Sequence, residues 1–260
     1  MNAHSLWDGI EGIVLDAVGT LIEPVPSVAE TYGLIARRQG VSLDSIELQS
    51  RFRRHFRNDE VDETRGPLVT DESIELARWR RIVSNVLPEV PDRDRAFEEL
   101  WAHFGRSEAW RCFPDVGPAI EMLHEKGFKV RIASNFDRRL RAVAEGLPDL
   151  RALRDGMVIS SEVGYRKPHP AFYHAACRSL DLPAECVLSV GDDPENDVNG
   201  PVRAGLRGIL VDRDSKEARD PVFFRDLVGL TRSRTAVSEK IVRDRSGENV
   251  PVAPIVKDGR

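Results

Sequence analysis

The residues best suited to chemistry follow short apolar stretches of the chain. They are acidic, hydroxyl, amide and lysine side chains: Asp16, Ser134, Asn135, Lys167, Asp192, Asp193 and Asp197. A carboxylate that attacks phosphorus or carbon must be held near positive charge, and a metal ion together with a lysine supplies that charge. The residue types are therefore those of an aspartate nucleophile beside a metal site.

The apolar stretches themselves predict strands, because they are short, continuous and rich in valine, isoleucine and leucine. These strands are expected at 11–18, 129–136, 157–161, 186–193 and 208–213. Helical patterns separate them, at 116–126, 137–146, 170–180 and about 196–204. The alternation predicts an α/β fold with a doubly wound, Rossmann-like parallel sheet. Ligands of such sheets bind at the carboxyl ends of the strands, so the candidate residues are expected to meet there.

A helical insert interrupts this alternation after the first strand. Its helices are expected at 27–40, 43–57, 70–87 and 91–105, with Thr70 starting the third helix. Proline-rich joints at 23–26 and 113–115 bracket the insert. This pattern predicts a helical cap domain over 24–113, an α/β core over 1–23 and 114–230, and an extended or mobile tail over 231–260. The tryptophans of the insert, Trp79, Trp101 and Trp110, are expected to pack the cap core.

Composition restricts the kind of protein further. The chain has 260 residues, 38 lysines and arginines, 43 aspartates and glutamates, a net charge of −5 and 41% hydrophobic residues. This mild acidity does not favour nucleic-acid binding, and no apolar stretch reaches the ~20 residues of a membrane-spanning helix. The first residues carry no secretory signal pattern, and three scattered cysteines suit a reducing compartment. We expect a cytoplasmic protein with neither nucleic-acid nor membrane partners.

Taken together and in order, the segments LDAVGTLI, ASNF, YRKPHP and VGDDPENDV resemble the four motifs of the haloacid dehalogenase-like (HAD) hydrolase superfamily. The likeness covers residues 10–213 and fits the subclass with a helical cap inserted after the first motif. Any one of these residues alone would more often be a helix cap or a surface charge. Four motifs at four predicted strand ends favour the functional interpretation for the set.

The resemblance implies a role for each residue. Asp16 is expected to be the nucleophile that becomes a covalent aspartyl ester, and Lys167 to balance the crowded carboxylates. The expected metal is Mg²⁺, which prefers oxygen ligands and is assigned to Asp16, Asp192 and the backbone carbonyl of Val18. Contacts with the substrate or with Asp16 are expected from Thr20, Ser134 and Asn135. Further metal ligation, or orientation of the lysine and of metal-bound water, is expected from Asp193 and Asp197.

Val18 departs from the pattern of the superfamily's phosphatases. They carry a second aspartate at that position, which protonates the leaving oxygen and later activates the attacking water. Valine keeps a backbone carbonyl for the metal but cannot donate a proton. His55, His103 or His169 could replace the missing acid, although a structural or surface role is the commoner one for such histidines.

Three branches of the superfamily lack this second aspartate. The 2-haloacid dehalogenases also lack the acidic metal cluster, whose charge would repel an anionic substrate, and this chain keeps the cluster. Phosphonoacetaldehyde hydrolases need a cap lysine, and no lysine precedes Lys126. The third branch comprises phosphatase-like members with retained metal ligands and degraded acid–base chemistry, and the sequence fits it best.

The leading hypothesis is a magnesium-dependent, phosphatase-like hydrolase that acts on a small, phosphorylated molecule. One alternative is a catalytically weak member that binds a phosphorylated ligand or a protein partner. The second alternative is a 2-haloacid dehalogenase.

Overall fold

The structure is a computed structural model that describes residues 7–57, 68–213 and 226–231 in full, and only the backbone of short segments outside them. Its strands, in chain order, are β1 (His4–Ser5), β2 (Gly12–Leu15), β3 (Ile22–Pro24), β4 (Trp110–Cys112), β5 (Lys129–Ser134), β6 (Val158–Ile159), β7 (Val187–Gly191), β8 (Arg207–Val211), β9 (Phe223–Phe224), β10 (Ala236–Ser238), β11 (Ile241–Arg243), β12 (Asn249–Pro251) and β13 (Ile255–Val256).

The helices alternate with the strands of the core and fill the insert. They are α1 (Val28–Arg38), α2 (Ser45–Glu60), α3 (Glu72–Val86), α4 (Arg93–Phe104), α5 (Val116–Glu125), α6 (Arg139–Gly146), α7 (Ser160–Val163), α8 (Pro170–Leu180), α9 (Gly200–Arg203) and α10 (Leu227–Arg232). A turn of π-helix, Pro194–Asn199, precedes α9.

The central sheet has six strands in the order β6-β5-β2-β7-β8-β9, and all its pairs are parallel. The predicted α/β, Rossmann-like fold is confirmed, and β9 is a further strand at one edge. Ile13 and Leu15 of β2 pack into a cluster on one face of the sheet, and Val14 packs into a different cluster on the other face. Burial on both faces explains why the strand sequences are continuously apolar.

Helices α1–α4 enclose a separate apolar cluster, which includes Tyr32, Leu48, Ile82 and Phe97. The third helix of this segment begins differently from the prediction. The side chain of Asp71, not that of Thr70, accepts a hydrogen bond from the helix backbone, at Ile74 N. Thr70 Oγ1 instead donates to Glu75 Oε1 at 2.7 Å inside the protein, so its hydroxyl serves a buried carboxylate rather than the helix end.

A two-stranded antiparallel ribbon joins the helical segment to the sheet. Ile22 of β3 pairs with Cys112 of β4, and Pro24 pairs with Trp110. The ribbon lies where the sequence predicts two proline-rich joints, so part of the first joint is a strand. The division into a core over 1–23 and 114–230 and a cap over 24–113 stays a prediction.

A second link connects the helical segment to the loop that carries Lys167. Val69 and Tyr165 form an antiparallel bridge, Arg166 N donates to Leu68 O at 2.8 Å, and Thr70 N donates to Gly164 O at 3.1 Å. This backbone pairing places the beginning of α3 beside the lysine loop.

Most of the tail predicted over 231–260 lies outside the described residues. The short strands β10–β13 are described there, and β10 pairs with both β1 and β13. Within the part of the chain that the structure describes, no helix combines the length and the apolar character needed to cross a membrane.

Candidate active site

Three neighbouring strands bring their chemically active residues to one edge of the sheet. Asp16 follows β2, Ser134 ends β5 and Asp192 follows β7. Because β2 pairs in parallel with both β5 and β7, the three carboxyl ends lie side by side. Asp16 N also donates to Val190 O at 2.9 Å, which extends the pairing as far as the candidate nucleophile.

Lys167 is buried between two carboxylates. Its Nζ lies 2.8 Å from Asp16 Oδ1 and 2.7 Å from Asp197 Oδ1. Burial opposes the charge of Lys167, but the attraction of Asp16 and Asp197 outweighs it and raises the lysine pKa above its usual value. The ammonium group therefore stays charged and fixes one oxygen of Asp16.

Asn135 holds the backbone of that lysine. Its Oδ1 accepts from Lys167 N at 2.7 Å, and its Nδ2 donates to Lys167 O at 3.2 Å. The side-chain amide of Asn135, which was expected to contact the substrate, thus forms hydrogen bonds to the Lys167 backbone through both its oxygen and its nitrogen. Ser134, the neighbouring residue, is buried and faces the cavity described below.

The carboxylates of Asp16, Asp192 and Asp197 form a tight cluster. One oxygen of each lies within 4.8 Å of the others. Asp192 keeps an exposed surface, yet the partial desolvation of its carboxylate, followed by repulsion from Asp16 and Asp197, raises its pKa to about 7. Burial also raises the pKa of Asp197, although Lys167 acts against it. Three carboxylates share one lysine, so this cluster of oxygen donors fits a hard divalent cation.

The two other aspartates of the fourth motif have structural partners. Asp197 Oδ1 contacts Lys167, and its Oδ2 accepts from Asp193 N at 3.1 Å. Asp193 Oδ1 accepts from Glu195 N and Asn196 N and so caps the turn of π-helix. Asp197 is therefore bound to the lysine and to the backbone of Asp193, and it also shares the cluster with Asp16 and Asp192.

Two glycines that the sequence analysis did not single out make this crowding possible. Gly19 has a φ of +90°, and a Cβ there would lie 2.4 Å from Asp192 Oδ2. A Cβ on Gly191 would lie 2.2 Å from Asp197 Cγ. Each glycine directly adjoins a motif residue, Thr20 or Asp192, and this adjacency is the signal that could have identified them.

Thr20 supports the cluster from a fully buried position. Its Oγ1 donates to Asp192 Oδ1 at 3.2 Å, and its backbone carbonyl accepts from Arg213 Nε at 3.2 Å. Arg213 in turn binds Asp115 Oδ1 at 2.9 Å. Arg213, like the glycines, was missed at the level of sequence, because its partners lie far away along the chain.

The cluster opens into a cavity of about 350 Å³ between the sheet and the helical segment. Much of the cavity wall is aromatic. We call this part the aromatic chamber; it is lined by Tyr32, Phe52, Phe56, Trp79, Phe97, Trp101, Phe104, Trp110 and Phe136. Trp79 and Trp101 pack against the cluster of the helical segment as expected, whereas Trp110 packs into a cluster of the central sheet; all three also line the cavity.

Val18 also lines the cavity, and 37% of its surface is exposed. Among the described residues that line the cavity there is no histidine. His169 Nδ1 accepts from Ala171 N at 3.1 Å and caps α8 instead. The candidates His55, His103 and His169 are therefore not placed to replace the missing acid.

A parallel sheet with a buried lysine and clustered carboxylates at its carboxyl edge defines an α/β enzyme. A model of the haloacid dehalogenase-like hydrolases matches residues 10–205. The chain belongs to this family and is a hydrolase, as the four motifs predicted.

Individual relatives carry different names. A zebrafish (Danio rerio) haloacid dehalogenase-like hydrolase domain-containing protein 3 is 26% identical over 78% of this chain and 86% of its own length. A protein of Mycobacterium tuberculosis named as a phosphatase is 37% identical over 64% of this chain and 75% of its own length. A crystal structure of a dehalogenase superposes with a TM-score of 0.67 at 20% identity, covering 86% of this chain and 97% of that one. At that identity the structural likeness shows the fold alone.

Proposed function

We propose that this hydrolase is a Mg²⁺-dependent phosphatase in which Asp16 forms a covalent intermediate. The observation that carries the proposal is the buried contact of Lys167 with Asp16 and Asp197, beside the carboxylate of Asp192. A single lysine leaves this cluster short of positive charge, and a phosphoryl group would add further negative charge. A divalent cation supplies what is missing.

The chain offers three oxygen donors for that cation: a carboxylate oxygen of Asp16, one of Asp192 and the backbone carbonyl of Val18. The elevated pKa of Asp192 and the short distances within the cluster support this assignment. When bound, Mg²⁺ would offset negative charge on the phosphoryl oxygens.

Each residue of the site has its own part in the proposed reaction. A free oxygen of Asp16 attacks phosphorus while Lys167 holds the other oxygen, and the bond from phosphorus to the leaving oxygen breaks in line with the attack. Ser134, which lines the cavity, would donate a hydrogen bond to a phosphoryl oxygen. Water then attacks phosphorus, the bond to Asp16 breaks, and inorganic phosphate leaves. Because Val18 cannot donate a proton, the leaving oxygen departs as an anion.

The phosphatase-named relatives support a small, phosphorylated substrate. We also propose a cytoplasmic location, because Cys112, Cys177 and Cys186 are free thiols, as a reducing compartment requires.

The alternatives make different demands on the same residues. A 2-haloacid dehalogenase would place an anionic substrate beside three carboxylates and one lysine without a metal. A protein that only binds a phosphorylated ligand would not need the alignment of Asp16 with Lys167. Both alternatives are outcomes of the following test.

The test measures turnover of acetyl phosphate, 4-nitrophenyl phosphate and 2-chloropropionate, with Mg²⁺ and with excess chelator. The proposal expects phosphate turnover that needs Mg²⁺ and is lost in Asp16→Asn. Asp155→Asn is the matched control, since the side chain of Asp155 is 95% exposed. Chelator-resistant release of chloride would establish the dehalogenase, and phosphate binding without any turnover would establish the binding protein.

A further inference from the structure

The rings of the aromatic chamber are not fully enclosed by other side chains, and they leave space for a ligand. Phe52, Phe56, Trp79 and Trp101 are only partly buried, although each packs against the apolar cluster of the helical segment. Phe52 stacks on Phe56 with ring centroids 5.6 Å apart and on Trp79 at 6.4 Å. Rings held in this way keep one apolar surface towards the cavity, and covering that surface with an apolar group is favourable.

The chamber lies where a leaving group would extend. In-line attack places the leaving oxygen opposite the attacking oxygen of Asp16. Lys167, which contacts Asp16, is buried, and so is Thr20. Asp16 and Val18 line the same cavity as the aromatic rings, so a leaving group directed into that cavity meets an aromatic wall.

Three arginines, Arg78, Arg139 and Arg166, also line the cavity, and each contacts a carboxylate of the protein. Arg139 binds Asp137 with Nε and Nη2, both at 2.7 Å, and the Trp101 carbonyl with Nη1 at 2.7 Å. Arg166 Nη1 lies 3.2 Å from Glu75 Oε1. A sugar or amino-acid leaving group would bring several hydroxyl or ammonium groups against a wall that is largely aromatic, and burying polar groups there is costly unless each is hydrogen-bonded.

We propose that the leaving group is a flat aromatic alcohol, so that the substrates of this site are aryl phosphate monoesters. This inference rests on the proposed phosphatase function. Asp16 attacks phosphorus, the bond from phosphorus to the aryl oxygen breaks, and its electron pair stays on that oxygen. The aryloxide takes a proton from solvent. Water then displaces Asp16 from phosphorus and loses its protons to solvent and to the released phosphate, which balances the reaction.

The aromatic alcohol suits both features of the site. Its rings can pack edge-on or offset against the rings of the chamber. Its oxygen leaves as a stabilised anion, which matches the absence of an acid at Val18. The volume of 350 Å³ lies near the lower limit of small-molecule sites, ~300–1,000 Å³, and it must also hold the phosphoryl group, so a leaving group of one or two rings is expected.

The experiment compares phenyl phosphate with 2-naphthyl phosphate, whose leaving groups have nearly the same pKa but different apolar areas. We expect kcat/KM to be at least ~10-fold higher for the naphthyl ester, because the added ring is buried in an apolar site. Octyl phosphate and acetyl phosphate are measured in parallel. Comparable efficiency for octyl and naphthyl phosphate would overturn the aromatic assignment.

Two tryptophan variants test whether the aromatic chamber causes the preference for the naphthyl ester. Trp79→Leu should reduce the naphthyl-to-phenyl ratio of kcat/KM towards one. Trp7→Leu should preserve the ratio, because Trp7 packs on Phe128, away from the cavity. As a measurement independent of folding yield, 2-naphthol should inhibit the wild-type protein competitively against acetyl phosphate.

The outcomes separate this inference from the function on which it rests. If acetyl phosphate is turned over in an Asp16-dependent way but kcat/KM is no higher for the naphthyl ester than for phenyl phosphate, the aromatic leaving group is wrong. The proposed phosphatase activity is then still supported. Absence of Asp16-dependent turnover for every phosphate would overturn both.

Discussion

Glu75 Oε1 lies 3.2 Å from Arg166 Nη1, and this contact joins helix α3 to the residue directly before Lys167. Glu75 is only 2% exposed, and Thr70 Oγ1 donates to the same oxygen. Nearby on α3, Glu72 accepts from Arg138 N and from Ser161 Oγ, which follow the sheet strands β5 and β6. The position of the aromatic chamber is thus coupled to the position of the lysine.

Removing the charge of Glu75 should therefore destabilise the protein. Glu75→Gln removes the negative charge that faces Arg166 and the buried Arg78, whose Nη1 lies 3.6 Å from Glu75 Oε2, and breaking a buried ion pair typically costs ~3–5 kcal/mol. Urea denaturation checks this change in the free energy of unfolding. Glu98→Gln on the exposed side of α4 is the control and should change stability by less than ~0.5 kcal/mol. Equal stability of the two variants would show that the Glu75 contact is not important for the fold.

The effect of pH on Mg²⁺ binding follows from Asp192. Its pKa is raised to about 7 in the folded, metal-free protein, so this group contributes stability at low pH that is lost as pH rises through about 7. Mg²⁺ requires the carboxylate, so below that pH each unit should lower the apparent affinity by ~10-fold. The rise in Tm on adding Mg²⁺ should consequently be larger at pH 8 than at pH 5.5.

Asp192→Asn should remove this dependence, whereas Asp155→Asn should retain it. Differential scanning fluorimetry with and without Mg²⁺ at each pH isolates the metal effect from other titrating groups. A constant increment in Tm across this range in the wild-type protein would contradict the assignment of Asp192 as a ligand.

Gly19→Ala should impair metal binding beyond its effect on the backbone. The φ of +90° costs an L-residue ~1–2 kcal/mol, and the new Cβ would also displace the Asp192 carboxylate, 2.4 Å away. Gly127→Ala separates the two effects, because Gly127 has a φ of +84° with nothing within 4 Å of its Cβ position. We expect similar losses of stability but at least a ~10-fold loss of Mg²⁺ affinity for Gly19→Ala alone, measured by calorimetric titration.

Restoring an acid at position 18 should broaden the range of substrates. General acid catalysis is worth ~10²–10⁴ in rate, and most for basic leaving groups. Val18→Asp should raise alkyl-phosphate turnover and flatten the dependence of rate on leaving-group pKa. Val18→Asn is the matched control, since it has nearly the same shape without a titratable proton. Single-turnover rates across a phosphate series test this, and an identical response of both variants would exclude proton donation as the cause.

The sequence predicts what depends on local patterns. The strand at 12–15 and the helix at 170–180 follow from continuous apolar runs and from helical spacing, and the meeting of Asp16 with Asp192 follows from parallel topology. The β3–β4 ribbon does not follow, because three-residue strands separated by the whole helical segment leave no periodic signal. The cap role of Asp71 was missed because Thr70, equally suited, is occupied by Glu75.

The aromatic chamber is a further feature that the pattern could not reveal. Phe52 of α2 and Trp79 of α3 are partly buried and pack against the apolar cluster of the helical segment. Whether such a ring is fully enclosed or keeps one face towards a cavity depends on how closely the helices approach the sheet. That distance is set by tertiary contacts such as those of Glu75, which no local spacing encodes.

The pairing of Leu68–Thr70 with Gly164–Arg166 runs through the main chain. Its hydrogen bonds do not depend on which side chains the helices carry. Redesign of the chamber wall for a different leaving group can therefore be confined to cavity-facing positions of α1–α4, such as Phe52 and Trp79. The same scaffold could then be adapted to new substrates without re-engineering the loop that holds the lysine.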